Sequence, residues 1–245
     1  MKEFQEQENV NNASIACELC SQEYSYEKTM ETLKNGDVLT RQPAILNLQE
    51  IKTQNDADLL LSLLIGQDGR IREAAAFKIN ELIKIYPQYF QNEISATTLL
   101  KSIIDVNPAI CRFSIDSLKF FQNKDIIVKR ILDEITKIKN ELNEVPRNSR
   151  KYVLNKMNFK IYWFFEALSL IIEKEIAINY QNEIKEIMNG LIDSEEYTIR
   201  EKLHKFCIIL QQNGVENLEK YFEHFQNDEN FYVRNLSNIK TRNIS

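Results

Sequence analysis

At five places along this chain an acidic residue or an asparagine is followed three positions later by a branched apolar residue, in most of them with an arginine close behind. An amphipathic stretch then begins. The five are Asp68-x-x-Ile71-Arg72, Asn107-x-x-Ile110-x-Arg112, Asn158-x-x-Ile161, Glu196-x-x-Ile199-Arg200 and Asn230-x-x-Val233-Arg234. Their branched anchors lie 39, 51, 38 and 34 residues apart. That is the period of a two-helix unit, the longest interval being one unit with an insertion around 140–150. One amphipathic helix cannot bury its apolar stripe alone, so a chain with this period folds as stacked helical hairpins.

The copy at Asp68 is the clearest. Ile71, Ala75, Ile79 and Leu82 fall on one helical face, Glu73, Asn80, Glu81 and Lys84 on the other, and Asp68 can cap the helix. Around it the pattern predicts a weakly amphipathic helix over 13–33, ended by Asn35-Gly36-Asp37, behind a polar and disordered stretch 1–12. A second helix reads Ala44 to Ile51 with Pro43 in its first turn. Further helices start at Asn55-Asp56, Ser95 and Pro108, and a long one runs from Asn123 to about Leu142 with Ile126, Ile127, Ile131, Ile135 and Ile138 in phase. With Gly 5 and Pro 4 in 245 residues, the turn chemistry of an all-β fold is missing.

These residues resemble the HEAT-repeat family, whose units are antiparallel helix pairs with an Asp-x-x-Val/Ile-Arg signature opening the second helix. Asp68 to Leu82 is the closest match, and the resemblance covers about residues 40 to 240. It implies an all-α fold, a right-handed α-α superhelix of about five or six hairpins, with residues 13–245 as one solenoid domain behind a helical cap. It implies no activity, because such folds host scaffolds, regulators and a few enzymes.

The formal charge of -5 argues against a surface that clamps nucleic acid throughout. The longest apolar runs, Leu59 to Ile65 and Tyr162 to Ile172, fall well short of the roughly 20 residues that span a bilayer, and no apolar leader opens the chain. A cytoplasmic protein with reduced cysteines and no membrane contact is expected. Cys17-Glu18-Leu19-Cys20 offers two thiols where a closed zinc site needs four ligands, so no metal is expected. His204 and His224 have no nucleophile or carboxylate at a telling spacing, and neither a Gly-rich phosphate loop nor a serine elbow occurs. The expectation is no cofactor and no catalytic constellation.

A helix expected from about Ser149 to Glu173 carries the candidate site. Leu154, Met157, Ile161, Phe164, Phe165, Leu168 and Ile172 form its core stripe, and the opposite face bears Tyr152, Lys156, Phe159, Lys160 and Trp163. Aromatics interleaved with ammonium groups build a protein hot spot or a stacking platform. They also build ordinary packing against a neighbouring repeat, with the lysines snorkelling. The function this supports is a non-enzymatic scaffold or adaptor that binds a protein or peptide partner through an α-solenoid surface. The alternative is nucleic-acid binding of the kind found in HEAT-like alkylpurine DNA glycosylases. The basic segment Arg147 to Lys160 supports it, while the single tryptophan and the lack of a placeable catalytic Asp depart from that family. HEAT-like bilin lyases are a third analogy that no residue carries.

Overall fold

A computed structural model describes residues 25–144 and 150–236. Among them only helices and connecting turns occur, without a strand. They fall into two compact units divided between Gln122 and Asn123.

The first unit holds α1 (Tyr26–Asn35), α2 (Val38–Asn47), α3 (Gln54–Ser62), α4 (Gly69–Ile85), a 3-10 turn (Pro87–Phe90), α5 (Glu93–Ser102) and α6 (Pro108–Leu118). Consecutive helices pair as hairpins. Across hairpins, first helices pack on first helices (α1 on α3, α3 on α5) and second on second (α2 on α4, α4 on α6). The result is a two-layered stack of three hairpins with a core between the layers that includes Ile45, Leu60, Ile71, Ile79, Leu99 and Ile110. Each such side chain contributes about 1.5–3 kcal/mol by leaving water.

The second unit repeats the plan with α7 (Lys124–Glu144), α8 (Arg150–Ile171), a connecting α9 (Lys174–Asn179), α10 (Gln181–Leu191), α11 (Tyr197–Gln212), α12 (Glu219–Gln226) and α13 (Phe231–Arg234). Here α7 packs on α10, α8 on α11, and α11 on both α12 and α13. Ile131, Phe165, Leu168, Ile187, Leu203, Phe206, Tyr221 and Phe225 close its core. Each unit is thus a short stack of the α-solenoid kind.

Several helix starts follow the sequence, and the exceptions have local causes. Asp68, Asn107 and Asn230 cap their helices through side-chain oxygens that accept N–H bonds from Arg70, Ala109 and Tyr232, each at 2.9 Å. Asn158 does not open a helix: it lies inside α8, which begins at Arg150, next to the start expected at about Ser149. The second helix also begins earlier than expected, because Asp37 accepts from the Thr40 N–H at 2.9 Å and nucleates α2 at Val38. Pro43 then lies inside α2 rather than in its first turn. Ile126 points outward, 45% exposed, although Ile127, Ile131, Ile135 and Ile138 are buried as expected. Asn80 is buried instead of facing water, because α4 is covered by α2, α3 and α6; its amide donates to the Phe113 carbonyl and to Ser117 Oγ. The expected disordered stretch 1–12, the start of the 13–33 helix and the Cys17/Cys20 pair lie outside the described residues.

The arginine of the repeated pattern has a structural reason. Arg72 of α4 donates Nε and Nη2 to Asp105 at 2.8 and 3.1 Å, and Asp105 lies in the turn before α6. Arg200 of α11 donates in the same way to Asp228 at 2.6 and 3.0 Å, in the turn before α13. Both carboxylates also accept the N–H of the helix-capping Asn two residues on, Asn107 at 2.9 Å and Asn230 at 2.7 Å. One hairpin is therefore stapled to the next by a bidentate, charge-assisted contact that also shapes a turn. In a further copy, Asp37-x-x-Thr40-Arg41, Arg41 donates to Gln67 Oε1 at 3.1 Å instead of making a bidentate contact with an acid among the described residues, and its buried Nε has no hydrogen-bond partner among them.

Candidate functional site

The five residues of the candidate strip all lie on α8, but they do not share one environment. Tyr152 is 80% exposed and Lys156 is exposed, Phe159 and Lys160 are half-buried, and Trp163 is 6% exposed. The strip is open at its N-terminal end and closed at its C-terminal end. Of the two readings the sequence left, Tyr152 and Lys156 stand on the open side and Trp163 on the packed side. The Trp163 ring meets Phe159 edge-on at 6.2 Å and Tyr162 edge-on at 5.4 Å. Its indole N–H, fully enclosed, has no acceptor among the described residues, an arrangement that costs free energy unless something supplies one. Tyr162 itself lies under the Lys202 ammonium of α11, 4.5 Å from the ring centroid, and that ammonium also pairs with Glu166.

The electrostatics of the open end are unusual for a helix. The first turn of α8 contains no acidic residue, and Glu166 is the first acid along the helix. Cations at a helix N-terminus oppose the macrodipole, whose positive end favours carboxylates. Lys151, in the first turn, therefore stands where helix stability alone would not put it, and it adds to the positive potential of the first-turn N–H groups.

A second surface, which sequence reasoning missed, lies along the loops that lead into α11 and α13. Asp193, Ser194 and Glu195 before α11, Lys220, Glu223 and His224 of α12, and Asn227, Asp228 and Glu229 before α13 line a groove of about 670 Å³, floored by Arg200. The Arg200–Asp228 staple sets the spacing of its two walls, and Arg200 Nη1 also donates to the Ser194 carbonyl at 2.5 Å. The Asp228 carboxyl is held below the usual carboxylate range: burial works against its ionisation, and the hydrogen bonds from Arg200 and the Asn230 N–H outweigh it. Tyr197, Phe231 and Tyr232 are exposed at the starts of α11 and α13, the helices into which these loops lead. The sequence did signal them, as aromatics directly after the caps Glu196 and Asn230, where first-turn side chains escape the core stripe.

His204 is buried, stacks on Phe225 at 4.9 Å and donates its Nδ1–H to the Val233 carbonyl at 2.9 Å. Its edge contributes to a smaller groove of about 340 Å³ between α11 and α12, lined also by Ile208 and Phe222. His224 faces Asp193 at 3.5 Å. Cys111 and Cys207 are buried, and burial pushes the Cys111 thiol up to about 12. Among the described residues no group of three or more His, Cys, Asp and Glu converges on a common point, and no helix is long and apolar enough to cross a membrane.

Comparison with protein-family models gives no match, and comparison with curated proteins gives none. Among solved structures the chain is similar to a designed armadillo repeat protein, at 12% identity and a TM-score of 0.43, over 90% of this chain and 100% of that one. It is also similar to an engineered protein, at 15% identity and a TM-score of 0.39, over 88% of this chain and 96% of that one.

Proposed function

We propose that the chain is a non-enzymatic helical-repeat module that binds a protein partner, and that the open end of α8 takes an acidic face of that partner. The observation that carries this reading is the company of Tyr152 and Lys156, both exposed, on a helix end that holds cations and no acid. An exposed Tyr beside ammonium groups supplies contact area with little side-chain entropy to lose, and the positive field steers a carboxylate-rich surface toward it. Phe159 and Lys160 extend the contact, and Trp163 serves as its buried footing rather than as a contact residue.

The test is affinity capture from native lysate with the wild-type chain and with Tyr152→Ala and Lys156→Glu. Both side chains are exposed, so each substitution should change stability by no more than about 0.5 kcal/mol. The reading requires that captured partners are lost from both variants while their thermal melting is unchanged. An identical set of partners would sink it. The nucleic-acid alternative is separated by titrating a labelled duplex: binding that falls steeply with added salt and is lost in Lys156→Glu would replace the protein reading.

A further inference from the structure

The loop edge of the last two hairpins exposes aromatic surface that the core does not use. Tyr197 opens α11, Phe231 and Tyr232 open α13, and the latter two are 60% and 64% exposed. The Tyr197 and Tyr232 rings lie 6.3 Å apart with their planes 30° from parallel, and Phe231 meets Tyr232 edge-on at 5.8 Å. The three rings form a continuous shelf. Exposed apolar area grouped in this way marks a docking surface more often than a neutral one.

The rings stand at the starts of α11 and α13, and the two loops that lead into those helices line the groove. Glu195 lies two residues before Tyr197, Glu229 lies two before Phe231, and both line the groove. Asp193, Glu195, Glu223 and Glu229 are exposed there. The basic side chains facing them are already engaged: Arg200 by Asp228 and Glu229, and Lys220 by the Asn189 side chain; the His224 ring faces Asp193. Arg234, in α13, donates to the Asp228 and Glu229 carbonyls. What the edge offers to a ligand is π faces rimmed by carboxylates. A guanidinium or ammonium group fits both, stacking on the ring while pairing with the acid.

We propose that this edge docks a basic, Arg- and Lys-bearing segment of a partner protein, with cationic side chains stacked on Tyr197, Phe231 and Tyr232 and paired with Glu195 and Glu229. The surface is carried by α11, α12 and α13 and opposite in sign to the α8 strip, so it stands independently of the reading given to that strip.

The experiment titrates the full chain into a fluorescently labelled Arg/Lys-rich peptide, read by anisotropy, with a counterpart carrying Glu in place of each Arg and Lys. Saturable binding of the basic peptide alone is expected, weakening as salt is added. Tyr232→Ala and the pair Glu195→Gln with Glu229→Gln should each weaken it about tenfold. Tyr232→Phe, which keeps the ring, should bind like wild type, and so should Lys156→Glu on α8. Circular dichroism melting confirms that each variant is folded. Absence of binding, equal binding to wild type and both shelf variants, or binding lost in Lys156→Glu overturns the proposal. So does concentration-dependent self-association that the shelf substitutions abolish, because it puts a second copy on the shelf.

Discussion

Arg200 and Asp228 are both nearly inaccessible, and their bidentate contact ties α11 to the turn before α13. Burying two charges is costly, and the cost is recovered only while both are present. Asp228→Asn should therefore destabilise the chain by about 3–5 kcal/mol, whereas replacing both residues with apolar side chains of similar volume should cost far less. Equilibrium urea unfolding of the three chains checks this. The same carboxyl makes stability depend on pH. Its folded value lies below the ordinary 3.8, so its contribution is complete above that value and is lost as pH falls through the lower folded value. The stability gap between wild type and Asp228→Asn should thus be constant near neutrality and should narrow as the pH drops below about 4. Cys111 gives a second residue-scale expectation. Burial raises its thiol to about 12 and its Sγ donates to the Asp105 carbonyl at 3.1 Å, so at neutral pH almost no thiolate forms. Alkylation followed by peptide mass spectrometry should leave Cys111 unmodified in the native chain and label it fully in denaturant.

At the scale of the element, α8 shows how one helix face can change character along its length. Trp163 lies about 180° from the core stripe, yet it is enclosed with Phe159 and Tyr162, while Tyr152, on the same side three turns earlier, is open. Because Trp163 is the sole tryptophan, its emission reports this directly. A blue-shifted maximum with weak acrylamide quenching is expected, and a red, readily quenched signal would contradict the enclosure. Trp163→Ala should cost about 3–5 kcal/mol through the cavity it leaves, and so it is a poor probe of binding. Trp163→Phe should cost less, since it also removes an indole N–H that has no partner among the described residues. Periodicity identified the core stripe of α8 correctly from Ile161 onward, and it could not tell which end of the other face would be covered. Coverage depends on neighbouring elements, to which a single helix's pattern is blind.

Across the whole molecule, the two units each carry their own two-layered core, and within each the most enclosed helix is a second helix, α4 in one and α11 in the other. Hydrogen exchange should be slowest in these two helices, and Asp228→Asn should accelerate exchange in α11, α12 and α13 before it does so in α1 to α6. Uniform acceleration across both units would show that the staple acts globally. The period of the Asp/Asn, branched and Arg pattern determined that this chain is all-α and built from hairpins, because caps and 3.6-residue stripes are local properties that each segment carries by itself. It also marked the arginines without revealing their partners. Tertiary structure decided the rest: that Arg72 and Arg200 reach carboxylates 33 and 28 residues away, that Asn80 is core and Ile126 is not, and that Tyr197, Phe231 and Tyr232 meet at one edge. These are contacts between segments distant in sequence, set by how hairpins stack, and no local pattern encodes which side of a helix its neighbours will leave uncovered.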